Sequence, residues 1–354
     1  MFEVDGSMLE GGGQLLRMAI TYSSLLGNPI RVRRIRVGRS PPGLQPQHLK
    51  TVEAVKALTN ADVEGSRLGS TEITFRPRKL VGGSFKLDIG TAGSITLLLQ
   101  CVAPVATFSR SRVKLRVRGG TAVRWSPTVG FLENVIWRAY GRMGFEGKID
   151  VLRAGFYPKG GGIVDARIDP VWELRPLIAE ERGIVERVVG ASYCGRLPRH
   201  VAERQESSAR RLIEESGCEA RISVRTLEGV ETPFSPGSAI DLWTESEPPT
   251  FLGSSSLGER GKPAERVGAE AAQGIIEEVA SGAVVDHHTA DNLILWCSLA
   301  DGVSSFRTSS LTNHTLTAIK LATMMTEAEF ETTVEDGGSC LIRCRGIGFR
   351  NGGP

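Results

Sequence analysis

The stretch from Phe85 to Gly119, FKLDIGTAGSITLLLQCVAPVATFSRSRVKLRVRG, contains the pattern that decides the fold. FKLDIG predicts a strand, AGSITLLLQCVAPVATF predicts a helix, and RVKLRVRG, which alternates basic and apolar residues, predicts a second strand. A helix around TVGFLENVIWRAYGRMG follows, and KIDVLRAGF and GGIVDARIDP then predict two further strands. The unit therefore has the order strand, helix, strand, helix, strand, strand.

This order of elements recurs on both sides of the stretch. Towards the amino terminus it is carried by MFEVDG, GGGQLLRMAITYSSLLG, PIRVRRIRVG, LQPQHLKTVEAVKALTN, ADVEGS and EITFRP. Near the carboxyl terminus, DNLILWCSLAD, GVSSFRTSS, HTLTAIKLATMMTE, FETTVED and CLIRCRGIG predict helix, strand, helix, strand and strand. Self-similarity of this kind indicates a body built from repeated units.

A different pattern of strands and helices occupies residues 181–280, between the second and third units. We interpret this segment as a small inserted α/β domain. The predicted fold is therefore α+β, with three repeated βαβαββ units that form a pseudo-symmetric body. Residues 1–180 would hold the first two units, and residues 281–354 would hold the third.

The composition excludes several classes of protein. The chain has 354 residues, of which 40% are hydrophobic and 23% charged, as in globular rather than disordered proteins. No apolar run reaches the ~18 residues of a membrane helix, and MFEVDGSMLEGGG lacks the features of a signal peptide. Six scattered cysteines favour reduced, packed thiols over a disulfide framework or a zinc site. We therefore expect a cytoplasmic protein without a membrane partner.

Basic residues are concentrated in two predicted strands, although the net charge is only +3. RVRRIRVGR, residues 31–39, has five arginines and no acid, and SRSRVKLRVRGG, residues 109–120, places basic residues on one face of a strand. A solvated face is the usual explanation for either run alone. Two such runs together favour a polyanionic partner such as a nucleotide or RNA.

Glycine-rich turns open the predicted helices. In EGGGQLLR, Glu10 precedes three glycines whose backbone N–H groups could bind an anion, and Arg17 lies two turns into the helix. GRSPPGLQPQH brings Arg39, Gln47 and His48 to the next turn, and GTAGS and GFYPKGGG are further turns of the same kind. None matches the P-loop pattern, so a nucleotide would be bound by another geometry.

The local sequence around the histidines does not assign them a role. LTNHTLTAIK, residues 311–320, places His314 among hydroxyl residues ahead of an apolar helical stretch. For such an isolated histidine, a structural role is a better explanation than metal binding or nucleophilic catalysis. His287 and His288 resemble a metal-binding pair, but neighbours on a strand face opposite sides of the sheet, which disfavours that interpretation.

Taken together, these segments resemble the RNA 3′-terminal phosphate cyclases. The resemblance covers nearly the whole chain, in the family's order, through EGGGQLLR, RVGRSPPGLQPQH, GTAGSITLLLQ, GGTAVRWSP, GFYPKGGG, PRHVAERQ, LGERGKPAERVG, HTADNLIL and NHTLTAI. The family's fold, three repeated units with an inserted domain, agrees with the order of elements above. The resemblance implies ATP-dependent conversion of an RNA 3′-terminal phosphate into a 2′,3′-cyclic phosphate. The implied intermediates are a covalent histidine-AMP and RNA(3′)pp(5′)A, and the implied by-products are AMP and pyrophosphate.

The resemblance also implies a role for each site residue. His314 matches the nucleophile that attacks ATP, and Glu10 matches the carboxylate beside a divalent metal, Mg²⁺ or Mn²⁺. The implied ATP contacts are Gln100, Pro127, His288, Thr289, Ala290, Asp291 and Asn292. The residues implied to line the RNA phosphate are Arg17, Arg36, Arg39, Gln47 and His48. The chain departs from the family at Asn292, where glutamine is common, and at His288, where some members have tyrosine.

Two other functions stay open on the sequence alone. A cyclase-like branch of the family works in ribosome biogenesis as a non-catalytic RNA-binding protein and lacks the nucleophile, so the presence of His314, Glu10 and Asp291 disfavours it. An enolpyruvyl-type transferase on a related architecture would need an acceptor site and would not use ATP. The sequence specifies neither the oligomeric state nor the role of the inserted segment.

Overall fold

The computed structural model describes residues 1–335 and 337–351, and it has the predicted α+β class. The first sheet contains β1 (Phe2–Asp5), β2 (Ile30–Arg33), β3 (Asp62–Glu64) and β4 (Ile73–Arg76), with helices α1 (Gly13–Leu26) and α2 (Pro46–Thr59) between them in sequence. Its strand order is β1-β2-β4-β3, with β1 and β2 parallel and the other neighbours antiparallel.

The second sheet has the same strand order and orientations. Its strands are β5 (Gly83–Asp88), β6 (Val113–Gly119), β7 (Glu146–Arg153) and β8 (Gly162–Asp169), in the order β5-β6-β8-β7. Helix α3 (Ile95–Thr107) connects β5 to β6, and a helical stretch of α4 (Val129–Phe131), a π turn (Leu132–Ile136) and α5 (Trp137–Arg142) connects β6 to β7. Along β6 the apolar side chains are buried and the basic ones exposed, as their alternation predicts.

After the short strand β9 (Ile178–Ala179), the chain enters another sheet with its own apolar cluster. This sheet contains β10 (Ile184–Gly195), β11 (Glu219–Thr226), β12 (Gly237–Glu247) and β13 (Gly253–Leu257), in the order β11-β10-β12-β13. Helices α6 (His200–Glu215) and α7 (Ala264–Ala280) pack on it and against each other.

The last sheet combines β9 with strands that follow this segment. They are β14 (Val303–Thr308), β15 (Glu329–Val334) and β16 (Cys340–Arg345), and the sheet order is β9-β14-β16-β15. Helices α8 (His287–Leu299) and α9 (Asn313–Met325) flank β14 in sequence. The sequence pattern did not indicate β9, because two residues are too short to show an alternation.

One large apolar cluster lies between the first, second and last sheets and contains residues of α1, α3 and α8. The ring of Trp296 stacks on Tyr140 with a centroid distance of 4.1 Å, and the buried hydroxyl of Tyr22 bonds Oγ of Ser298 at 2.8 Å. Because these helices are fixed by a close-packed core, their first turns form a rigid base for the loops in front of them. Among the described residues, no helix is long and apolar enough to cross a membrane.

The strand predicted for PIRVRRIRVG is wrong beyond Arg33. Arg34 and Arg36 have φ angles of 55° and 52°, in the left-handed region, so the chain turns away from the sheet there. The turn matters for the site because it directs the following loop, which carries Arg39, towards the start of α1.

The two basic runs are largely ion-paired in the folded chain. Arg31 bonds Glu72 at 2.5 Å and Arg34 bonds Asp5 at 3.1 Å. In the second run Arg116 forms a two-pronged pair with Asp165, at 2.7 and 2.6 Å. The acids belong to other segments, so the runs looked free of acid in the sequence. Exposed pairs of this kind leave little net charge for a polyanion, and the runs alone do not indicate where one would bind.

A buried carboxylate joins the β10–β13 sheet to α4. Asp241 on β12 accepts hydrogen bonds from the Thr128 hydroxyl at 2.6 Å and from the Tyr193 hydroxyl at 3.2 Å. Burial raises the pKa of Asp241 from 3.8 to about 6. Because Thr128 caps α4 directly after Pro127, this contact connects the sheet to a loop that matters for the site.

We expect Asp241 to make stability depend on pH. The folded chain holds the proton of this carboxyl more tightly than the unfolded chain, so the stability it contributes is lost as the pH rises from about 4 through about 6. The loss amounts to about 3 kcal/mol. The side chain of Asp241→Asn does not titrate, so the unfolding free energy of the natural chain minus that of the variant, measured with urea, should be about 1 kcal/mol more favourable to the natural chain at pH 5 than at pH 7. If this difference in unfolding free energy were the same at both pH values, or favoured the variant more at pH 5, the pKa of Asp241 would not be raised by folding.

Candidate active site

The start of α9 is held in place by a buried aspartate. Thr312 caps the helix by accepting a hydrogen bond from N–H of Thr315 at 3.0 Å. Both threonine hydroxyls donate to Oδ1 of Asp291 on α8, at 2.7 and 2.6 Å. Burial raises the pKa of Asp291, while the two hydroxyls oppose that rise. These contacts fix the position of His314, which lies in the first turn of α9.

The imidazole of His314 is oriented by a side chain from α1. Nδ1 of His314 donates to Oε1 of Gln14 at 2.7 Å, and about half of the His314 side chain is exposed. With an amide oxygen as the acceptor, the neutral ring carries its proton on Nδ1 and its lone pair on Nε2. Such a ring can act as a nucleophile through Nε2.

The glycine triplet forms a turn around the carboxylate of Glu10. Oε2 of Glu10 accepts from N–H of Gly12 at 2.6 Å and lies 4.0 Å from Nδ1 of His314. A Cβ at Gly12 would overlap this carboxylate, so a larger residue there would force the side chain of Glu10 to move. The expectation that these N–H groups are free for an external anion is wrong at Gly12, because Glu10 itself occupies that N–H.

Arg39 also contacts Glu10. Its guanidinium donates to Oε1 of Glu10 and, at 3.2 Å, to the backbone carbonyl of the same residue. The arginine is about half exposed and the carboxylate is 90% buried. The structure therefore places Arg39 between the open solvent and the acid that lies beside His314.

The first turns of several helices converge at this place. Gln14 of α1 meets His314 of α9, and Nε2 of His48 on α2 lies only 2.5 Å from where a Cβ of Gly13 would be. Gln47 of α2 accepts from N–H of Ser94, the residue that caps α3, at 3.1 Å. Helix starts carry partial positive charge, so their convergence favours a phosphate-bearing ligand.

His48 is a neutral residue at this site. It is 4% exposed, and its Nδ1 accepts from the backbone N–H of Gln45 at 3.1 Å, which leaves a proton on Nε2. Burial, together with Arg17 and Arg36, lowers the pKa of His48 to about 3. The ring is therefore neutral throughout the physiological pH range and carries one N–H, on Nε2.

Arg36 has a different environment from the other predicted phosphate ligands. Its guanidinium donates to the carbonyl oxygens of Pro41 at 3.0 Å and Gly43 at 2.8 Å. These bonds stabilise the loop that precedes α2. In this arrangement Arg36 supports the loop that carries Arg39.

Several of the predicted ATP contacts line one narrow cavity. Gln100, Asp291 and Asn292 line it together with Gln14 and Arg17. The cavity thus joins residues assigned to ATP with one residue assigned to the RNA phosphate, so a boundary between the two sites would run through it.

The remaining predicted ATP contacts are placed differently. Thr289 and Ala290 are fully buried in α8, and the Thr289 hydroxyl donates to Asp286 at 2.8 Å. Pro127 offers its carbonyl oxygen to the Thr96 hydroxyl at 2.7 Å, which fixes the loop before α4 to α3.

The two neighbouring histidines lie in the first turn of α8, so the strand expected there is wrong. Their ring centroids are 4.0 Å apart, and Nδ1 of His287 bonds the buried Glu278 at 2.6 Å. Burial lowers the pKa of His288 to about 4, which keeps that ring neutral. No group of three potential metal ligands occurs among the described residues.

Gln14 is a site residue that no sequence motif indicated. It is the second residue of the helix that the glycines open, next to the turn that contains Glu10. A polar residue directly after the glycine turn, at the start of the helix, could have indicated it. Its partner, however, lies 300 positions away in the chain, and only the fold brings the two together.

A family model and several known proteins match this chain along most of its length. The family model described as RNA 3′-terminal phosphate cyclase matches residues 8–332. A protein of that name from Methanopyrus kandleri is 42% identical over 347 residues, which cover 98% of this chain and 99% of the relative. Proteins of the same name are 43% identical in Desulfurococcus amylolyticus, over 99% of each chain, and 46% identical in Archaeoglobus fulgidus, over 89% of this chain and 92% of the relative.

Proposed function

Because this chain belongs to the RNA 3′-terminal phosphate cyclase family, we propose that it is an ATP-dependent ligase that cyclises the terminal phosphate of RNA. The substrate is an RNA with a 3′-terminal phosphate, and the product ends in a 2′,3′-cyclic phosphate. His314 carries AMP between the two substrates. The observation that carries the proposal is the His314 ring, half exposed and held through Nδ1 by Gln14 at a convergence of helix starts.

Three steps account for the reaction. Nε2 of His314 attacks the α-phosphorus of ATP, a P–N bond forms, and the bond to the bridging oxygen breaks as pyrophosphate leaves. An oxygen of the RNA 3′-phosphate then attacks the same phosphorus, which frees the histidine and makes RNA(3′)pp(5′)A. Finally the neighbouring 2′-hydroxyl attacks the RNA phosphorus, loses its proton and expels AMP.

Glu10 is the residue that would hold a divalent metal. Mg²⁺ and Mn²⁺ take oxygen ligands, and Mg²⁺ is commonly bound by one or two carboxylates together with substrate phosphates and water. One buried carboxylate beside the nucleophile fits that donor set, with Arg39 as the partner that the carboxylate has in this structure. When bound, the metal neutralises charge on the triphosphate.

The residues proposed for the RNA phosphate are Arg17, Arg39, Gln47 and His48, with Arg36 in support of their loop. Arginine forks and the neutral His48 donor suit a dianionic terminal phosphate. The remaining proposed ATP contacts are Gln100, Pro127, His288, Asp291 and Asn292, with Thr289 and Ala290 as packing residues of α8. We also propose that the three similar sheets are repeats of one βαβαββ unit, and that residues 181–280 form an inserted domain.

The test is to treat the protein with ATP and a divalent metal and to search its peptides for AMP by mass spectrometry. An acid-labile adduct on His314, followed by its loss when RNA with a 3′-phosphate is added, is the expected result. The RNA should then resist phosphatase, as a cyclic phosphate does. A non-catalytic RNA-binding protein would give no adduct, and an enolpyruvyl-type transferase would release phosphate from phosphoenolpyruvate without any need for ATP.

We expect Gln14→Ala to slow adduct formation while ATP binding changes little. Without the amide oxygen, the imidazole can rotate and place its proton on either nitrogen, so the reactive orientation is less populated. Misplacement of a reacting group costs on the order of 10- to 100-fold in rate. Single-turnover kinetics at varied ATP would show a fall in the maximal rate with nearly constant half-saturation. An unchanged rate would show that Gln14 does not position the ring.

A further inference from the structure

Two exposed aromatic side chains lie on neighbouring loops at one edge of the second sheet. The side chain of Trp125 is 91% exposed and that of Tyr157 is 77% exposed. Trp125 also has a φ of 62°, in the left-handed region that a bulky residue rarely adopts. The fold gains little buried apolar surface from either ring, and a left-handed backbone such as that at Trp125 is found most often at ligand-binding and active sites.

The loops that carry these rings are bonded to each other at their bases. N–H of Thr121 donates to the carbonyl oxygen of Gly155 at 2.9 Å, and the two loops continue from there to Trp125 and Tyr157. The Trp125 loop follows β6 and the Tyr157 loop connects β7 to β8, and both lie at the end of the sheet where Gly119 of β6 pairs with Gly162 of β8. The two rings therefore belong to one surface of the molecule.

This surface is continuous with the candidate active site. A Cβ at Gly160 would lie 2.6 Å from Cα of Ala92, so the Tyr157 loop packs directly on the turn before α3. Gln47, which is proposed to line the RNA phosphate, holds that same turn through N–H of Ser94. On the other loop, Trp125 lies two residues before Pro127.

Two cations of this surface differ from those of the basic runs, whereas a third, Arg124 beside Trp125, is paired with Glu259. Lys159 is exposed and Arg153 is half-buried, and neither has a carboxylate partner among the described residues. The guanidinium of Arg153 lies over the ring of Phe234, 4.1 Å from its centroid, and its Nε donates to the carbonyl oxygen of Gly161 at 2.9 Å. These two charges are therefore not neutralised by the protein itself, unlike those of Arg31 or Arg116.

We propose that Trp125, Tyr157, Arg153 and Lys159 form a binding surface for the single-stranded nucleotides that precede the 3′ end of the RNA. Exposed rings beside uncompensated cations match a strand that carries both bases and phosphates, because each base can stack and each phosphate needs a positive partner. We call these four residues the stacking surface. The inference rests on the proposed function, since it assumes that the RNA terminus lies near Gln47.

The test compares a dinucleotide with an RNA of about ten nucleotides, each with a 3′-phosphate. The longer RNA should bind the natural protein more tightly, and Trp125→Ala or Tyr157→Ala should remove most of that gain. Loss of one stacked base is expected to weaken binding about 5- to 100-fold. Binding of the dinucleotide and formation of the His314 adduct from ATP alone should not change. Trp125→Phe, which keeps a ring, should restore most of the gain.

Trp172 provides a matched control, since it is an exposed tryptophan (63%) at the opposite end of α3. Val171, its neighbour, bonds the last residue of that helix, Thr107. The 13 residues of α3 place it about 20 Å from the turn at Ser94. Trp172→Ala should leave the length dependence of RNA binding unchanged.

Charge is tested separately with Lys159→Ala. If the lysine contacts a phosphate of the longer RNA, the variant should release about one ion fewer on binding. The slope of the logarithm of the binding constant against the logarithm of the salt concentration should therefore become shallower by about one.

Three results would overturn the inference while leaving the proposed function intact. In the first, the His314 adduct forms normally and the ring variants bind the long RNA as well as the natural protein does. In the second, Trp125→Ala slows adduct formation from ATP alone, which would place the ring in the nucleotide site. In the third, the ring variants change the oligomeric state of the protein in solution but not its affinity for RNA. The surface would then be an interface between copies of the chain. Absence of the adduct in every variant would instead reject the proposed function.

Discussion

Replacement of His314 by alanine is expected to reduce formation of the AMP adduct to background. Among the described residues, His48 is a poor substitute, since it is 4% exposed and its Nε2 carries the proton while Nδ1 accepts from N–H of Gln45. Loss of a covalent nucleophile costs on the order of 10⁴-fold or more in rate. The change should leave the fold intact, because the ring is half exposed and α9 is capped by Thr312.

The measurement is transfer of labelled AMP from α-labelled ATP to the protein. Asn313→Ala, a substitution of the adjoining residue, is the matched control and should keep most of the activity. His314→Ala should still bind ATP and RNA and should show an unfolding midpoint close to that of the natural chain. An adduct that persists in His314→Ala, on any other residue, would mean that the histidine is structural and that the proposed first step is wrong.

The class of the fold and the order of most elements could be predicted from the sequence because they depend on local patterns. The alternation in RVKLRVRG and the apolar run of α3 are visible within a few residues, and both are confirmed. The strand β9 was missed because two residues show no period. The strand predicted through residue 38 failed because backbone turns at Arg34 and Arg36 leave no trace in hydrophobic patterning.

The site was predictable only in part, for a different physical reason. Motifs indicated which segments bear polar residues, and the fold does bring Glu10, His48 and His314 to the starts of neighbouring helices. What a motif cannot show is the partner of each group. The pairing of Arg39 with Glu10 and of Gln14 with His314 depends on segments that are distant in the chain. The assigned roles stay predictions until the variants are measured.

Glu10→Gln is expected to slow adduct formation on the order of 10²-fold, and to do so more strongly than it weakens ATP binding. The proposed role of the carboxylate is to hold the metal against the departing pyrophosphate, so its effect should appear mainly in the transition state. Glutamine keeps the acceptor for N–H of Gly12 and the size of the side chain, so the glycine turn should persist. Equal losses in rate and affinity would indicate ground-state binding instead.

Arg39→Ala should act in opposite directions on the two half-reactions, because the arginine contacts the carboxylate that is proposed to hold the metal. Without the guanidinium, adduct formation should need less metal and should otherwise be largely retained. Transfer of AMP to RNA should fall, since a lost charge-assisted hydrogen bond costs about 1.5–3 kcal/mol, or roughly 10- to 100-fold in rate. Arg33→Ala, whose guanidinium pairs with Glu3 and Glu72, should change either step only slightly.

The two half-reactions can be separated because the first needs no RNA. Adduct formation is measured with ATP over a range of metal concentrations, and transfer is measured after the purified adduct is mixed with RNA. RNA ending in a 3′-hydroxyl provides the reference, since it lacks the terminal phosphate that an arginine guanidinium would bind. If Arg39→Ala abolished the adduct while RNA binding stayed normal, Arg39 would belong to the ATP site. Its contact with Glu10 would then be part of the first step, and the boundary between the two sites would lie on the far side of Arg39.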